Sequence, residues 1–318
     1  DGRFLTGKRY NRWNCEANSM STMQNPTYCR LSIILATDAP KGVILRRGPS
    51  DWVQLILWNT RDDTFTEGQW FKGRIYAERC DLSPDGTKFI YFAAKHHAPL
   101  HLPDDYTNTW TAISKPPYFT ALALWTEIGT YSWGGYFEDN VTICLGVPKT
   151  PHKDHLPPSW LHINTSNCEP YMSSYLWRLR QNGWKIISRA SSAPYNSTSD
   201  WRKSLYATPE IHQKENADHT YRLTMQEDGY NYNQYGDRSV ITYTLQRKRD
   251  QAEFLISDTW ADWDQQGRLV YAEEGKLFAG NPGRVGTVPV LLKDFNPNQV
   301  RLIKSPEWAK TWTGVDLS

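Results

Sequence analysis

The stretch Cys80-Asp-Leu-Ser-Pro-Asp-Gly-Thr-Lys-Phe-Ile-Tyr-Phe-Ala-Ala94 decides how the rest of the chain is read. Ser83, Pro84, Asp85 and Gly86 form a compact turn signal. Proline presets φ at an early turn position, aspartate bonds its own backbone, and glycine accepts positive φ. Behind the turn, Phe89, Ile90, Tyr91 and Phe92 make a short aromatic and β-branched run that reads as a strand buried on both faces. A strand of that kind needs a neighbouring layer on each side.

Working outward, Leu31–Ala36, Val43–Arg46 and Trp52–Trp58 are short apolar runs separated by the turn clusters Asp38–Gly42 and Gly48–Asp51. Trp52–Trp58 is too continuously apolar for a half-exposed strand and should lie between sheets. Further strands are expected at Trp110–Ser114, Tyr118–Trp125, Tyr131–Phe137, Val141–Leu145, Thr220–Met225, Ser239–Leu245, Glu253–Ser257, Val288–Leu292 and Val300–Ile303. Tyr171, Tyr175 and Leu179 recur at helical spacing, so Tyr171–Arg180 reads as one or two helical turns, and Asp200–Leu205 as a second helical segment. The opening theme returns at Trp260-Ala-Asp-Trp-Asp-Gln-Gln-Gly-Arg-Leu-Val-Tyr271. In both copies an aspartate stands five residues before the turn glycine, Asp81 to Gly86 and Asp262 to Gly267. The turn glycines Gly42, Gly86, Gly135, Gly183, Gly229 and Gly267 are separated by 44, 49, 48, 46 and 38 residues, the blade period of a β-propeller. The expected fold is therefore all-β, a single β-propeller of about five blades. Six blades is the alternative count, and a pair of β-sandwiches is the main competitor. Residues 1–28 are expected to form an N-terminal arm. Residues 29–318 form the propeller domain, with polar insertions at about 146–168 and 190–217.

Composition narrows the function classes. Among 318 residues, 36 basic and 34 acidic side chains leave a formal charge of +2, without the basic excess of a general nucleic-acid binder. No apolar run reaches the roughly 20 residues of a membrane helix. The 15 Trp, 18 Tyr and 10 Phe fit aromatic packing between sheets. Cys15, Cys29, Cys80, Cys144 and Cys168 show no C-x-x-C spacing and read as mostly reduced thiols of a cytoplasmic protein, with a Cys15–Cys29 bridge as the extracellular alternative. Sequons at Asn140, Asn164 and Asn196 are about as many as chance gives a chain of this composition.

Candidate sites are few. His96, His97, His101, Asp104 and Asp105 could ligate a metal by residue type, as could His152, His155 and His162. Pro99 and Pro103 stiffen the first loop and Pro157 and Pro158 oppose a helix in the second, so neither set is expected to hold a metal, and no cofactor is expected. Asp81, Asp85, Asp262 and Asp264 flank blade turns, where aspartate bonds backbone amides, and are read as turn residues rather than a catalytic pair. No nucleophile elbow, phosphate loop or dinucleotide fingerprint occurs, and no residue is given a catalytic role. The partner-binding candidates are the basic hairpin tips Arg46, Arg47, Arg247 and Arg249, with Tyr230, Tyr232 and Tyr235 of a tyrosine-rich run. Trp201, Trp308 and Trp312 are read as exposed residues that could serve as further anchors. The expected function is a non-catalytic scaffold that binds a protein partner through its inter-blade loops. The alternatives are a carbohydrate-binding or glycoside-cleaving propeller and a structural subunit of a larger assembly.

Leu82-Ser-Pro-Asp-Gly86 followed by Phe-Ile-Tyr, and Trp263-Asp-Gln-Gln-Gly267 followed by Leu-Val-Tyr, resemble the repeats of bacterial TolB-like and WD40-like propellers. The block from Ile33 to Lys95, with Arg46-Arg-Gly-Pro-Ser50, Trp52-Val-Gln-Leu55 and Gly73-Arg-Ile-Tyr76, resembles a family of uncharacterised bacterial proteins that carry this repeat. Trp110–Tyr118 extends the match. The resemblance covers the first half of the chain and reaches the second half only through the repeat near Trp263. It implies a propeller and brings no activity or functional residues with it.

Overall fold

The computed structural model describes residues 11–12, 28–48, 51–96, 98, 102–130, 134–146, 150–165, 174–192, 203–233, 236–280 and 288–312. Strand β1 (Asn11–Arg12) belongs to a later sheet. The first sheet is a meander of β2 (Arg30–Leu35), β3 (Lys41–Arg47), β4 (Trp52–Asn59) and β5 (Thr64–Lys72). The second contains β6 (Arg74–Ile75), β7 (Asp81–Leu82), β8 (Phe89–Ala94), β9 (Thr109–Ser114) and β10 (Ala123–Glu127), with β6 and β7 both paired to β8. The third is β11 (Gly135–Phe137), β12 (Thr142–Leu145) and β13 (His162–Asn164), the last parallel to β12. After helix α1 (Ser174–Gln181), the fourth sheet takes β14 (Lys185–Ser188), β15 (Ser191–Ser192), β16 (Lys203–Glu215), β17 (Tyr221–Asn233), β18 (Gly236–Arg247) and β19 (Ala252–Ser257), and β1 adds in parallel to β19. The fifth is the meander β20 (Trp260–Trp263), β21 (Leu269–Glu273), β22 (Lys276–Gly280) and β23 (Val290–Asp294).

The five sheets close into a ring, and side-chain alternation shows how. Every residue of β8 is buried. Phe89, Tyr91 and Ala93 pack with Val43, Leu45, Val53 and Leu55 of the first sheet. Ile90, on the opposite face, packs with Phe137, Ile143 and Leu145 of the third. Successive strand residues point to opposite faces, so an unbroken apolar run is what a strand between two other sheets requires. The same split recurs in β4, where Val53 and Leu55 face the second sheet, and Ile56 and Trp58 join Val270, Ala272 and Phe295 of the fifth. In β21, Leu269 and Tyr271 turn instead to Leu223, Met225 and Leu245 of the fourth sheet. Sheets one and two, two and three, four and five, and five and one thus share apolar cores. Helix α1 fills the remaining sector. Ser174 Oγ donates to Gly135 O at 2.9 Å and Trp177 Nε1 to Phe137 O at 2.8 Å, while Tyr175 and Leu179 pack into the core of sheets four and five. A closed ring of five sheets is a five-bladed β-propeller.

The repeated turn has one design in both copies. Gly86 (φ 67°) and Gly267 (φ 72°) occupy the left-handed region where glycine is favoured. Gly86 N–H donates to Ser83 O at 2.8 Å and Gly267 N–H to Asp264 O at 2.9 Å. Asp85 Oδ1 accepts the Thr87 N–H, and Asp264 Oδ1 accepts the Gln266 and Arg268 N–H groups.

Three expectations are corrected. Residues 190–217 were expected as a polar insertion with a helical segment at Asp200–Leu205, yet β16 runs from Lys203 to Glu215, paired with β17 from Lys203↔Asn231 to Glu215↔Arg222. Its polarity misleads because this long hairpin is held by a backbone ladder, and Pro209 sits in the register break between Leu205 and Glu210, where no ladder donor is needed. The Cys15–Cys29 bridge is excluded, since Cys29 is a free thiol. Cys144 is disulfide-bonded, against the expectation of mostly reduced thiols, and its partner lies outside the described residues. Helix α1 agrees with the helical reading of Tyr171–Arg180, and the insertion at 146–168 is irregular over its described residues except for β13. The arm at residues 1–28 lies outside the described residues apart from Asn11, Arg12 and Tyr28.

Candidate ligand cavity

Elements from every sector of the ring line a cavity of about 650 Å³. Sheet one contributes β2 and Arg47, sheet two the segment Arg74–Arg79, and the chain before β11 contributes Thr130. Helix α1 adds Tyr175, Arg178 and Leu179, sheet four Glu227, Tyr230, Ser239, Ile241 and Tyr243, and sheet five Asp258–Asp262.

Five arginines reach this wall: Arg30, Arg47, Arg74, Arg79 and Arg178. Arg30 and Arg47 are direct cross-strand partners on β2 and β3, a placement that costs stability for like charges. Burial lowers the proton affinity of Arg47, and the charge of Arg74 lowers it further. Tyr76 is flanked by two guanidiniums, with Arg74 Cζ 4.4 Å and Arg79 Cζ 4.8 Å from its ring centre. Arg79 donates to Thr130 O at 2.5 Å, and Arg178 donates to the carbonyls of Ala77 and Cys80. Those two are committed to holding the second sheet against its neighbours. At Arg47 the charges of Asp51 and Glu78 act against burial and Arg74.

The cavity also holds acids. Asp262 is engaged, accepting Lys214 Nζ at 2.6 Å and Trp184 Nε1 at 3.2 Å. Glu227 is buried, and one carboxyl oxygen, Oε1, has no hydrogen-bond partner among the described residues. Burial raises its proton affinity, opposed by hydrogen bonding to Ser239 and Tyr230 and reinforced by Glu210, the residue directly across on β16. Glu210 itself is held below the usual carboxylate range by its 2.7 Å contact with His212 Nε2.

The residues singled out from sequence separate. Arg46 is 5% exposed and not a solvated tip. Its Nε donates to Phe295 O at 3.2 Å and its Nη2 to Asn296 O at 3.3 Å, which ties sheet one to sheet five. Arg47 and Tyr230 come together in the cavity. Arg247 is bidentate to Asp250 and lies over Phe254, whereas Arg249 extends into solvent with a side chain 68% exposed. Tyr232 is on β17 opposite Asp237, and Tyr235 lies outside the described residues. Trp312 packs edge-on against Trp160 and Trp308 against Tyr118, and Trp201 is outside the described residues. Of the histidines, His152 stacks on Tyr106 and His155 bonds the Tyr106 hydroxyl at 3.0 Å, while His96 meets Tyr76 at 3.3 Å. His97 and His101 lie outside the described residues. No group of three His, Cys, Asp or Glu side chains with metal-binding geometry occurs among the described residues.

Sequence reading did not find Arg30, Arg74, Arg79, Arg178 or Glu227. They come from separate elements, and no motif joins them. The one local signal was Arg30 and Arg47 bracketing the first hairpin, which would pair if β2 and β3 were in register.

No family model matches the chain, and no curated protein matches it. Among solved structures, the chain is similar to the β-propeller domain of the Trilobed protease from Pyrococcus furiosus, described as having an open velcro topology. The two share 10% identity over 86% of this chain and 100% of that one, with a TM-score of 0.34. A likeness so slight adds nothing to the fold assignment, which stands on the sheet order and the shared cores.

Proposed function

We propose that this propeller is a binding module whose cavity captures a ligand through an anionic group. The carrying observation is the Arg30–Arg47 cross-strand pair, with Arg74 near enough to depress Arg47 further. Arg47, half-buried and with Arg74 acting on it against Asp51 and Glu78, offers a bound anion the planar fork that suits a carboxylate or phosphate. Thermal-shift and calorimetric titration with small carboxylates and phosphates tests this. At least one should raise the unfolding midpoint, and Arg47→Gln should weaken it about tenfold or more while leaving the ligand-free protein as stable or slightly more so. Equal affinity in the variant would sink the proposal.

A second reading, a scaffold for a protein partner, draws support from exposed apolar side chains beside the fifth sheet, Val290 and Leu291 on β23 and Leu302 at 90% exposure. We further propose kinship with the bacterial TolB-like repeat family, supported by the two matching turns at the heads of β8 and β21. For localisation, the sequence favoured the cytoplasm, whereas the Cys144 disulfide favours an oxidising compartment. No helix among the described residues is long and apolar enough to cross a membrane.

A further inference from the structure

On the outside of the ring, the edge of the fifth sheet meets the chain that follows it at one carboxylate. Glu67 of β5 accepts Arg301 Nη2 at 2.9 Å and lies 3.9 Å from Lys293 Nζ, so β23 and the segment 297–305 run side by side over the first sheet. That segment is pinned to the ring. Asn298 Nδ2 donates to Gln54 Oε1 at 2.8 Å, and Gln69 Nε2 donates to Ile303 O at 3.2 Å and to Ser305 Oγ at 2.8 Å. Between these anchors Leu302 is 90% exposed, and Val300 is about half exposed. On β23 and just before it, Val288 is 79% and Val290 62% exposed, with Leu291 about half exposed. Val290 is opposite Ala279 and Lys293 opposite Leu277, both members of the core between sheets five and one. Direct partners share a face, so Val290 lies on the side of β23 from which Lys293 reaches Glu67. We propose that this strip, from Val288 to Lys304, docks on an anionic lipid surface, its aliphatic side chains entering the headgroup layer and its cations meeting the lipid phosphates. The proposal is independent of the cavity, and it gives the side chains cited for a protein partner a different occupant.

Exposure, residue type and charge together favour lipid over protein. A side chain as bare as Leu302 projects from the surface, whereas one lining a peptide groove is partly covered by the groove's walls. The strip is aliphatic. Protein interfaces are anchored chiefly by Trp, Tyr and Arg, with Leu and Val under-represented, while the acyl boundary accepts any apolar side chain. Lys293, Arg301 and Lys304 are the cations beside it. Of the acids, Glu67 is shared by two of those cations, and Asp294 accepts both Asn296 N and Nδ2 and lies opposite Lys276. Glu273 and Glu274 stand at the far end of β22, beside Asn296. Around Leu302, three cations therefore face one carboxylate among the described residues. A small apolar insertion or a basic rim holds a protein to a membrane only weakly, and the two in one place reinforce each other.

The test is co-sedimentation of the full chain with vesicles of phosphatidylcholine alone and of phosphatidylcholine with about a third phosphatidylglycerol. The anionic vesicles should bind about tenfold more tightly, and added salt should weaken that binding. Val290→Ser combined with Leu302→Ser should weaken it about tenfold, Lys304→Glu about fivefold or more, and Leu302→Trp should strengthen it about threefold. All three positions are exposed, so thermal midpoints should stay at the parent value, and Leu302→Ser alone keeps the test open if the double variant fails to fold. No binding, or equal binding to both vesicle types, would overturn the proposal. Salt-sensitive binding that ignores the serine substitutions would show adsorption of the general surface and overturn the strip as the site. A parent that sediments as a dimer and a double variant that sediments as a monomer would give the strip to a second copy instead. Arg47→Gln should bind vesicles as the parent does. Loss of vesicle binding in that variant would move the lipid site into the cavity, and failure of the strip alone leaves the cavity reading standing.

Discussion

At the residue scale, Asp81 shows how a side chain read correctly in kind acquires a larger role in place. Sequence put it beside a turn, where aspartate bonds backbone amides. Its Oδ2 does accept an amide, at 2.9 Å, but from Phe137 at the head of the next sheet. Nothing local to Asp81 announces a partner so far along the chain. Burial raises its carboxyl to about 7 from 3.8, with Arg178 and the Phe137 and Leu82 amides opposing. The folded protein therefore holds this proton more tightly than the unfolded chain. Its contribution to stability is full below about pH 4, falls as pH rises toward 7, and is flat above, a change on the order of a few kcal/mol. Asp81→Asn keeps an oxygen for the Phe137 amide and cannot ionise. Denaturant midpoints at pH 5 and pH 8 should lie closer together in this variant than in the parent, and an unchanged gap would refute the assignment. The thiols give a second expectation at this scale. Cys80 is buried, donates to Tyr76 O at 3.1 Å, and is pushed up to about 12. Cys29 is also buried and raised by burial. Iodoacetamide at pH 8 should leave both unmodified in the native protein and label them once denaturant is added, since only the thiolate is reactive. Mass spectrometry of tryptic peptides reads the result.

At the element scale, α1 is a spacer between the third and fourth sheets, whereas the other neighbouring sheets share cores built from strand residues among the described residues. Trp177 stacks on Tyr136 with ring centres 4.5 Å apart and donates to Phe137 O, and Tyr175 OH donates to Met225 Sδ at 3.1 Å on the other side. Trp177→Ala should lower unfolding free energy by about 2 kcal/mol or more, from the lost stack, the orphaned carbonyl and the space left behind. Urea denaturation with unchanged slope is the measurement, and a loss below about 0.5 kcal/mol would show that the helix is not a wedge. This helix was legible from Tyr175 and Leu179, four residues apart, because amphipathic spacing survives when one face packs on a core. Strand β16 was not legible. Its sequence Lys-Ser-Leu-Tyr-Ala-Thr-Pro-Glu-Ile-His-Gln-Lys-Glu buries only His212 among its described side chains. Pattern reading depends on a buried face, and a strand held chiefly by its ladder does not display one.

For the whole molecule, the ring makes each sheet depend on two neighbours, so a covalent tie in one sector is felt by all. Cys144 is on β12 and disulfide-bonded. Reduction should lower the unfolding free energy by about 2–4 kcal/mol, seen as a lower thermal midpoint in reductant. An unchanged midpoint under verified reduction would show that the bond carries no stability. The sequence by itself determined that the protein is all-β, that strands such as Phe89–Ala94 and Trp52–Asn59 are covered on both faces, and that one turn recurs before β8 and β21. Those properties are local: alternation, turn chemistry and spacing are written in contiguous residues. Only the tertiary structure decided between five and six sheets, the place of the helix between sheets three and four, the burial of Arg46 and the assembly of Arg30, Arg47, Arg74 and Glu227 around one cavity. Side chains from separate sheets meet there through ring geometry, and no stretch of chain contains the distances between them.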